Sequence, residues 1–198
     1  MHGAIVNQTE HGLEVVTYLS SKYPELIHSR DAGGRNPLHW AMLFDDRNLD
    51  MMQIMCTSDP LVARDVSNDS RTPLHLLVQR GKFTDPLHKD GACLRYLLNI
   101  YPEAAGLGMG QGEAQAQGAT PYTLAVERGA EVHPHYLRLL LNAAPDQNPA
   151  EMRRVNYAER RVGMFLFYSA VFSGADPTIF ARLRIGHPAL VKKVMSFL

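Results

Sequence analysis

The 198 residues include 20 lysines and arginines against 20 aspartates and glutamates, and 45% of them are hydrophobic. The formal net charge is therefore zero, and no overall positive potential would attract nucleic acid or an anionic membrane. The hydrophobic share is ordinary for a globular protein with a buried core. Two cysteines, Cys56 and Cys93, lie in apolar runs, so we expect buried thiols rather than a disulfide framework. With no visible secretory signal or membrane-spanning stretch, the sequence predicts a cytoplasmic or nuclear protein.

Apolar residues recur at helical spacing in four places along the chain, and each place predicts an amphipathic helix. In chain order, the apolar positions are Leu13, Val16 and Leu19; Leu49, Met52, Ile54 and Met55; Leu94, Leu97 and Leu98; and Tyr136, Leu139 and Leu140. We expect Met52 and Met55 to face the core, and Met51 is open to either interpretation.

Three short strings are variations on one phrase: Asn36-Pro37-Leu38-His39-Trp40-Ala41, Thr72-Pro73-Leu74-His75-Leu76-Leu77 and Thr120-Pro121-Tyr122-Thr123-Leu124-Ala125. The first residue of each string offers a side-chain oxygen to the free amides at a helix start, and the following proline suits the first helical position. Each string therefore predicts the start of another helix. The strings begin 36 and then 48 residues apart.

These strings resemble the T-P-L-H-x-A signature of the ankyrin repeat, a module of a β-turn and two helices that recurs about every 33 residues. The resemblance implies an all-α solenoid of about four ankyrin-like repeats over residues 1–145, divided at 1–34, 35–69, 70–117 and 118–145. Residues 146–198 are expected to form a helical C-terminal cap. The signature residues are Asn36, Pro37, Leu38 and His39; Thr72, Pro73, Leu74 and His75; and Thr120 and Pro121.

The spacing exceeds the usual ankyrin period, so the sequence predicts two insertions. One is the polar stretch 81–91, and the other is the glycine-rich stretch 106–118.

A partial copy of the signature occurs at Met1-His2-Gly3-Ala4, with no polar capping repeat before it, although repeat arrays normally need one. Three explanations stay open: a fragment of a longer array, a start site assigned too late, or an exposed end used for self-association.

The C-terminal part departs from the repeat pattern. Helices are expected over about 150–172, 176–184 and 187–198. Residues 146–198 carry eight basic and four acidic side chains, whereas residues 1–145 carry 12 and 16. The two parts can attract each other, or the basic part can contact an acidic partner. The basic residues come in scattered pairs, which is typical of solvated helix faces.

No pattern in the sequence predicts catalysis, a cofactor or a metal. The recurring His2, His39 and His75 could be proposed as metal ligands, but in the family that the chain resembles, histidines at this place are structural. His133-Pro134-His135 has no further ligands at zinc-like spacing. The glycine-rich stretch does not match a phosphate-binding loop, and no nucleophile or metalloprotease signature is present. We therefore do not predict an enzyme.

The resemblance also implies where a partner would bind. In ankyrin repeats the partner contacts the turn before the signature and the residues before the glycine that ends the first helix. Carried over by position, the candidates are Arg35, Leu43 and Phe44; Asp69, Arg71, Gln79 and Arg80; and Ala119, Glu127 and Arg128. Arg35 and Arg71 share one repeat position, and Arg80 and Arg128 share another. A row of arginines would favour a partner with carboxylates, although their stems can instead cover apolar surface.

The function that this resemblance implies is a scaffold or adaptor. It would bind another protein, of unknown identity, through the concave face and the turn tips of the repeat array. An alternative is a regulatory repeat segment of a larger protein whose other domain carries the activity. A weaker alternative is attachment to a membrane or nucleic acid through the basic C-terminal helices. We therefore expect a protein partner, without nucleic acid, membrane or cofactor.

Overall fold

Eight α-helices and no β-strand occur among the residues that the computed structural model describes, which are 1–6, 10–44, 49–85, 87–110 and 118–144. The helices are α1 (His2–Val6), α2 (Glu10–Lys22), α3 (Pro37–Leu43), α4 (Leu49–Ser58), α5 (Pro73–Arg80), α6 (Lys89–Ile100), α7 (Pro121–Glu127) and α8 (Pro134–Ala143). All these residues belong to the unit Met1–Gln147. The chain is thus all-α over this part, and the expected C-terminal cap helices lie outside the described residues.

Three of the predicted helix starts are confirmed at Pro37, Pro73 and Pro121, where α3, α5 and α7 begin. Asn36 Oδ1 accepts a hydrogen bond from the His39 N–H at 2.9 Å. Thr120 Oγ1 accepts one from the Thr123 N–H at 3.2 Å. Each cap satisfies an amide that has no partner within its helix, which explains why the helix begins at that residue.

The helices pack as two layers. The shorter helices α1, α3, α5 and α7 contact one another in succession, and the longer helices α2, α4, α6 and α8 form a second succession. Between the layers lies a continuous core. Its fully buried side chains include Leu38, Met42, Met52, Met55, Leu74, Leu77, Leu94, Leu97 and Leu140. Because one pair of helices cannot cover its own apolar face, each pair depends on its neighbours for burial.

A proline-initiated 3₁₀ turn follows each of the first three long helices, at Pro24–His28, Pro60–Arg64 and Pro102–Gly106. These turns contribute small or branched side chains to the core, such as Ile27, Val62 and Ala105. In the sequence, the recurring proline marks the end of each of these three long helices, as the signature marks the start of α3, α5 and α7.

The expected burial of the sulfur-containing residues is confirmed. Cys56 and Cys93 are buried free thiols, and burial raises the pKa of Cys56 to about 12. Met52 and Met55 are fully buried, and Met51, which the sequence left open, is only 1% exposed. Within the described part of the chain, no helix has the length and hydropathy needed to cross a membrane.

Leu74 in the second complete signature tests the register of the core. Its side chain is 2% exposed, and truncation to alanine leaves a cavity that the surrounding helices fill only partly. We expect Leu74→Ala to lower the free energy of unfolding by about 2–5 kcal/mol, measured by urea denaturation. Leu87→Ala is the matched control, since Leu87 is 90% exposed and its truncation should change stability by less than about 0.5 kcal/mol. Equal losses in the two variants would contradict the register.

Candidate partner-binding surface

The turn at Asp31–Asn36 carries the first candidate arginine, and one carboxylate holds the turn together. Asp31 Oδ1 accepts hydrogen bonds from the N–H groups of Gly33 and Arg35, each at 2.8 Å. Its Oδ2 accepts one from Trp40 Nε1–H, also at 2.8 Å. Burial alone would raise the pKa of Asp31, but the hydrogen bonds from Arg35, Trp40 and Gly33 outweigh it, and the pKa is lowered. The turn is therefore fixed before any partner binds.

The next turn uses a serine where the first uses an aspartate. The Ser67 N–H donates to the Arg71 carbonyl at 3.0 Å, and the Arg71 N–H donates back to Ser67 Oγ at 3.2 Å. The two turns also contact each other. The backbone N–H of Asn68 donates to the Gly33 carbonyl at 2.9 Å, and its Nδ2 donates to the Ala32 carbonyl at 3.1 Å. Successive turn tips are thus tied to one another through Asn68.

The signature histidines connect each short helix to the following turn. The Nε2 atoms of His2, His39 and His75 lie 3.1, 2.8 and 2.9 Å from the carbonyl oxygens of Arg35, Arg71 and Leu107. A carbonyl oxygen only accepts, so each Nε2 carries the proton. Two of these carbonyls belong to candidate arginines, and the histidines therefore position the backbone of the candidate surface.

The other ring nitrogen binds the cap of its own helix. His75 Nδ1 accepts from the Thr72 N–H at 3.2 Å and from Thr72 Oγ1–H at 2.8 Å. His39 Nδ1 accepts from the Asn36 N–H at 3.3 Å. Asn36 Oδ1 also lies 2.6 Å from His39 Nδ1 but has no proton to donate. Threonine is therefore the better partner for the ring.

Asn36 makes contacts that a threonine could not. Its Nδ2 donates to the Val62 carbonyl at 2.9 Å and to Asp65 Oδ2 at 2.8 Å. Asp65 also pairs with Arg30 at 3.1 Å and with His28 at 3.0 Å. These bonds tie the N-terminal cap of α3 to the 3₁₀ turn that follows α4. They account for asparagine at this signature position.

The candidate residues in the turn before α5 and at the end of α5 are brought together around Arg71. Its Nη1 donates to Gln79 Oε1 at 2.9 Å, and its Nε lies 2.9 Å from Asp69 Oδ2. Arg80 is exposed one residue further along α5. Turn and helix end thus form one polar cluster of three candidates with a fourth beside it.

The candidates on either side of α3 lie next to an aromatic residue that sequence reasoning missed. Trp40 is half-buried, with ring centroids 6.0 Å from His2 and 6.2 Å from Phe44. Arg35 and Leu43 are also half-buried. The signal was available, because the only tryptophan of the chain stands at the variable position of the signature.

The candidates on either side of α7 differ from the expected arrangement. Arg128 is half-buried rather than aligned with exposed Arg80: its Nη1 donates to the Val78 carbonyl at 2.6 Å, and its guanidinium lies 6.0 Å from the Phe83 ring centroid. Ala119 accepts from the Met109 N–H at 3.1 Å, a bond that closes the base of the glycine-rich insertion. Glu127 is exposed at the end of α7. The structure therefore does not bring these three residues into the cluster around Arg71.

The polar stretch after α5 is anchored to the start of α8. The His133 N–H donates to the Phe83 carbonyl at 2.7 Å, and the Phe83 ring packs against Tyr136 with centroids 5.0 Å apart. Tyr136 Oη–H donates to the Asp85 carbonyl at 2.8 Å. In the described ranges, no three histidine, cysteine or carboxylate side chains are grouped as metal ligands would be.

Comparison of the chain with protein-family models, with curated proteins and with solved structures found no match.

Gly34 is the position where the stacked turns tolerate no side chain. Its φ is +72°, and an added Cβ would lie 2.9 Å from the backbone nitrogen of Asn68. We expect Gly34→Ala to cost at least about 1–2 kcal/mol of unfolding free energy, because alanine is strained at positive φ and the turns must separate. Chemical denaturation measures this cost. Gly33→Ala is the control in the same turn, since its φ is not in that region, and an equal loss there would contradict the assignment.

The signature histidines predict that acid destabilises the fold. Burial lowers the pKa of His39 and of His75 to about 4, whereas an unfolded histidine titrates near 6.5. The unfolded state therefore binds more protons as pH falls below about 6.5, and stability decreases. We expect each ring to cost about 2 kcal/mol between about pH 7 and about pH 5. Denaturant titrations should show a shallower pH dependence in His75→Gln.

His28→Gln is the control with the opposite sign. Burial would lower the pKa of His28, but hydrogen bonds to Asp65 and Asp59 outweigh it and the pKa is raised. The stability that His28 contributes is therefore full below about pH 6.5 and is lost as pH rises through its folded pKa. His28→Gln should steepen the loss of stability toward acid. A His75→Gln protein with the pH dependence of the natural chain would contradict the role of the His75 ring.

Proposed function

We propose that the chain is an ankyrin-type repeat array and that it binds another protein through its turns and the ends of its short helices. Three observations support the repeat interpretation: the pairing of short and long helices, their packing in two layers, and the recurring bond from a signature histidine to the following turn. The proposal requires no catalytic group.

The observation that carries the binding proposal is the contrast within α5. Residues 73–78 are all buried, yet Gln79 and Arg80 at the end of the same helix are exposed. Gln79 is held by Arg71, which in turn pairs with Asp69. Because these side chains are already ordered by contacts with one another, a partner that meets them loses little further conformational entropy.

The chemistry of this surface favours a partner that combines carboxylates with an apolar anchor. Arg35 and Arg71 follow one another on stacked turns, and Arg80 adds a third guanidinium at a helix end. Guanidinium groups hold carboxylates through paired hydrogen bonds. The half-buried Trp40 and Phe44 offer the kind of aromatic surface that often dominates binding energy. Arg128 is left out of this surface because it binds the Val78 carbonyl.

The test is a comparison of proteins retained from a lysate of the source cell by the natural chain and by charge-reversed variants. We expect Arg35→Glu and Arg80→Glu each to reduce the retained partner about tenfold, because each replaces an attraction with a repulsion. Quantitative mass spectrometry measures retention, and thermal unfolding shows that each variant stays folded.

Arg64→Glu is the charge-matched control, because Arg64 is exposed but lies in the 3₁₀ turn after α4, where its guanidinium is 5.0 Å from the Tyr101 ring centroid. A partner that all three variants retain equally would overturn the assignment of this surface. Retention of no protein above background by the natural chain would overturn the binding proposal itself.

A further inference from the structure

The long helix α2 has an exposed stripe on the side opposite its buried face. The α2 stripe comprises His11, Glu14, Val15, Tyr18 and Lys22, which fall within about 100° of one another around the helix axis and are all exposed. Val15 and Tyr18 are 45% and 58% exposed. Two large apolar side chains thus lie side by side in solvent, flanked by charges of opposite sign.

The corresponding positions of the other long helices show what such a stripe does elsewhere in the fold. In the sequence, Pro24, Pro60, Pro102 and Pro145 each follow one of the long helices. The residues nine positions before these prolines are Val15, Met51, Cys93 and Tyr136. The last three are 1%, 0% and 0% exposed. They are buried because each long helix packs on the one before it. Val15 therefore occupies a packing position of the stack, but in this structure it faces solvent.

We infer that the α2 stripe binds the same stripe of a second copy of this chain, in antiparallel orientation. A two-fold axis that passes by Tyr18 would place the two Tyr18 rings together. Glu14 lies four residues before Tyr18 and Lys22 four residues after it, so the same axis places Glu14 of each copy beside Lys22 of the other. The stripe is self-complementary in charge as well as in its apolar centre, which a two-fold interface requires.

The five stripe residues of each copy are fewer than the roughly 20–30 residues a side of a standard stable interface, so the dimer should dissociate at low concentration. This inference is independent of the partner-binding proposal, because the α2 stripe shares no residue with the turns and short-helix ends.

Sedimentation equilibrium of the full chain, at loading concentrations from about 5 to about 500 µM, measures the association. We expect the natural chain to pass from monomer to dimer across this range. The axis pairs position 14 of each copy with position 22 of the other, so Glu14→Lys or Lys22→Glu alone creates two pairs of like charges across the interface. Either variant should weaken association about tenfold. The double variant Glu14→Lys/Lys22→Glu exchanges the charges and should restore it.

Glu103→Lys is the matched control, since Glu103 is exposed in the 3₁₀ turn of another repeat and its replacement changes the net charge by the same amount. Its association should equal that of the natural chain. Circular dichroism checks the fold of every variant. A monomer at all concentrations, a dimer that the single reversals leave unchanged, or a double variant that stays as weak as the singles would each overturn the proposal.

Discussion

The hydrogen bond from a signature histidine to the turn before the following short helix is the interaction on which the described part of the chain depends. His39 and His75 each bind the cap of their own helix through Nδ1 and a carbonyl about 32 residues ahead through Nε2. The neutral ring is suited to both tasks, and burial keeps it neutral by lowering its pKa to about 4. The start of a short helix and the turn that follows it in the chain are thus held by one side chain.

This arrangement explains how the chain accommodates its irregular spacing. His75 reaches Leu107, which lies 36 residues after Arg71 and near the start of the glycine-rich stretch. The bond therefore keeps its register, and the other residues of the stretch follow it. The Met109 N–H then bonds the Ala119 carbonyl and closes the base of the insertion before Thr120 caps α7. Because an insertion closed at its base adds length without moving its ends, the core on either side is undisturbed.

The described residues offer two surfaces of different character. The turn and helix-end surface around Arg71 is polar and ordered by its own hydrogen bonds, which favours selective binding at low entropic cost. The α2 stripe is apolar at its centre and belongs to the packing pattern of the stack, which favours another helix of the same kind.

The sequence by itself determined the helix starts at Pro37, Pro73 and Pro121, the four long helices and the burial of Met52, Met55 and both cysteines. Caps, prolines and apolar spacing act locally, so they can be read without neighbours. Only the tertiary structure decided that Arg128 bonds the Val78 carbonyl while Arg80 remains exposed, that Phe83 packs on Tyr136, and that Val15 is exposed where Met51 is buried. Each of these contacts joins residues that are distant in the chain. The spacing of residues along the sequence does not determine which distant residues meet in space.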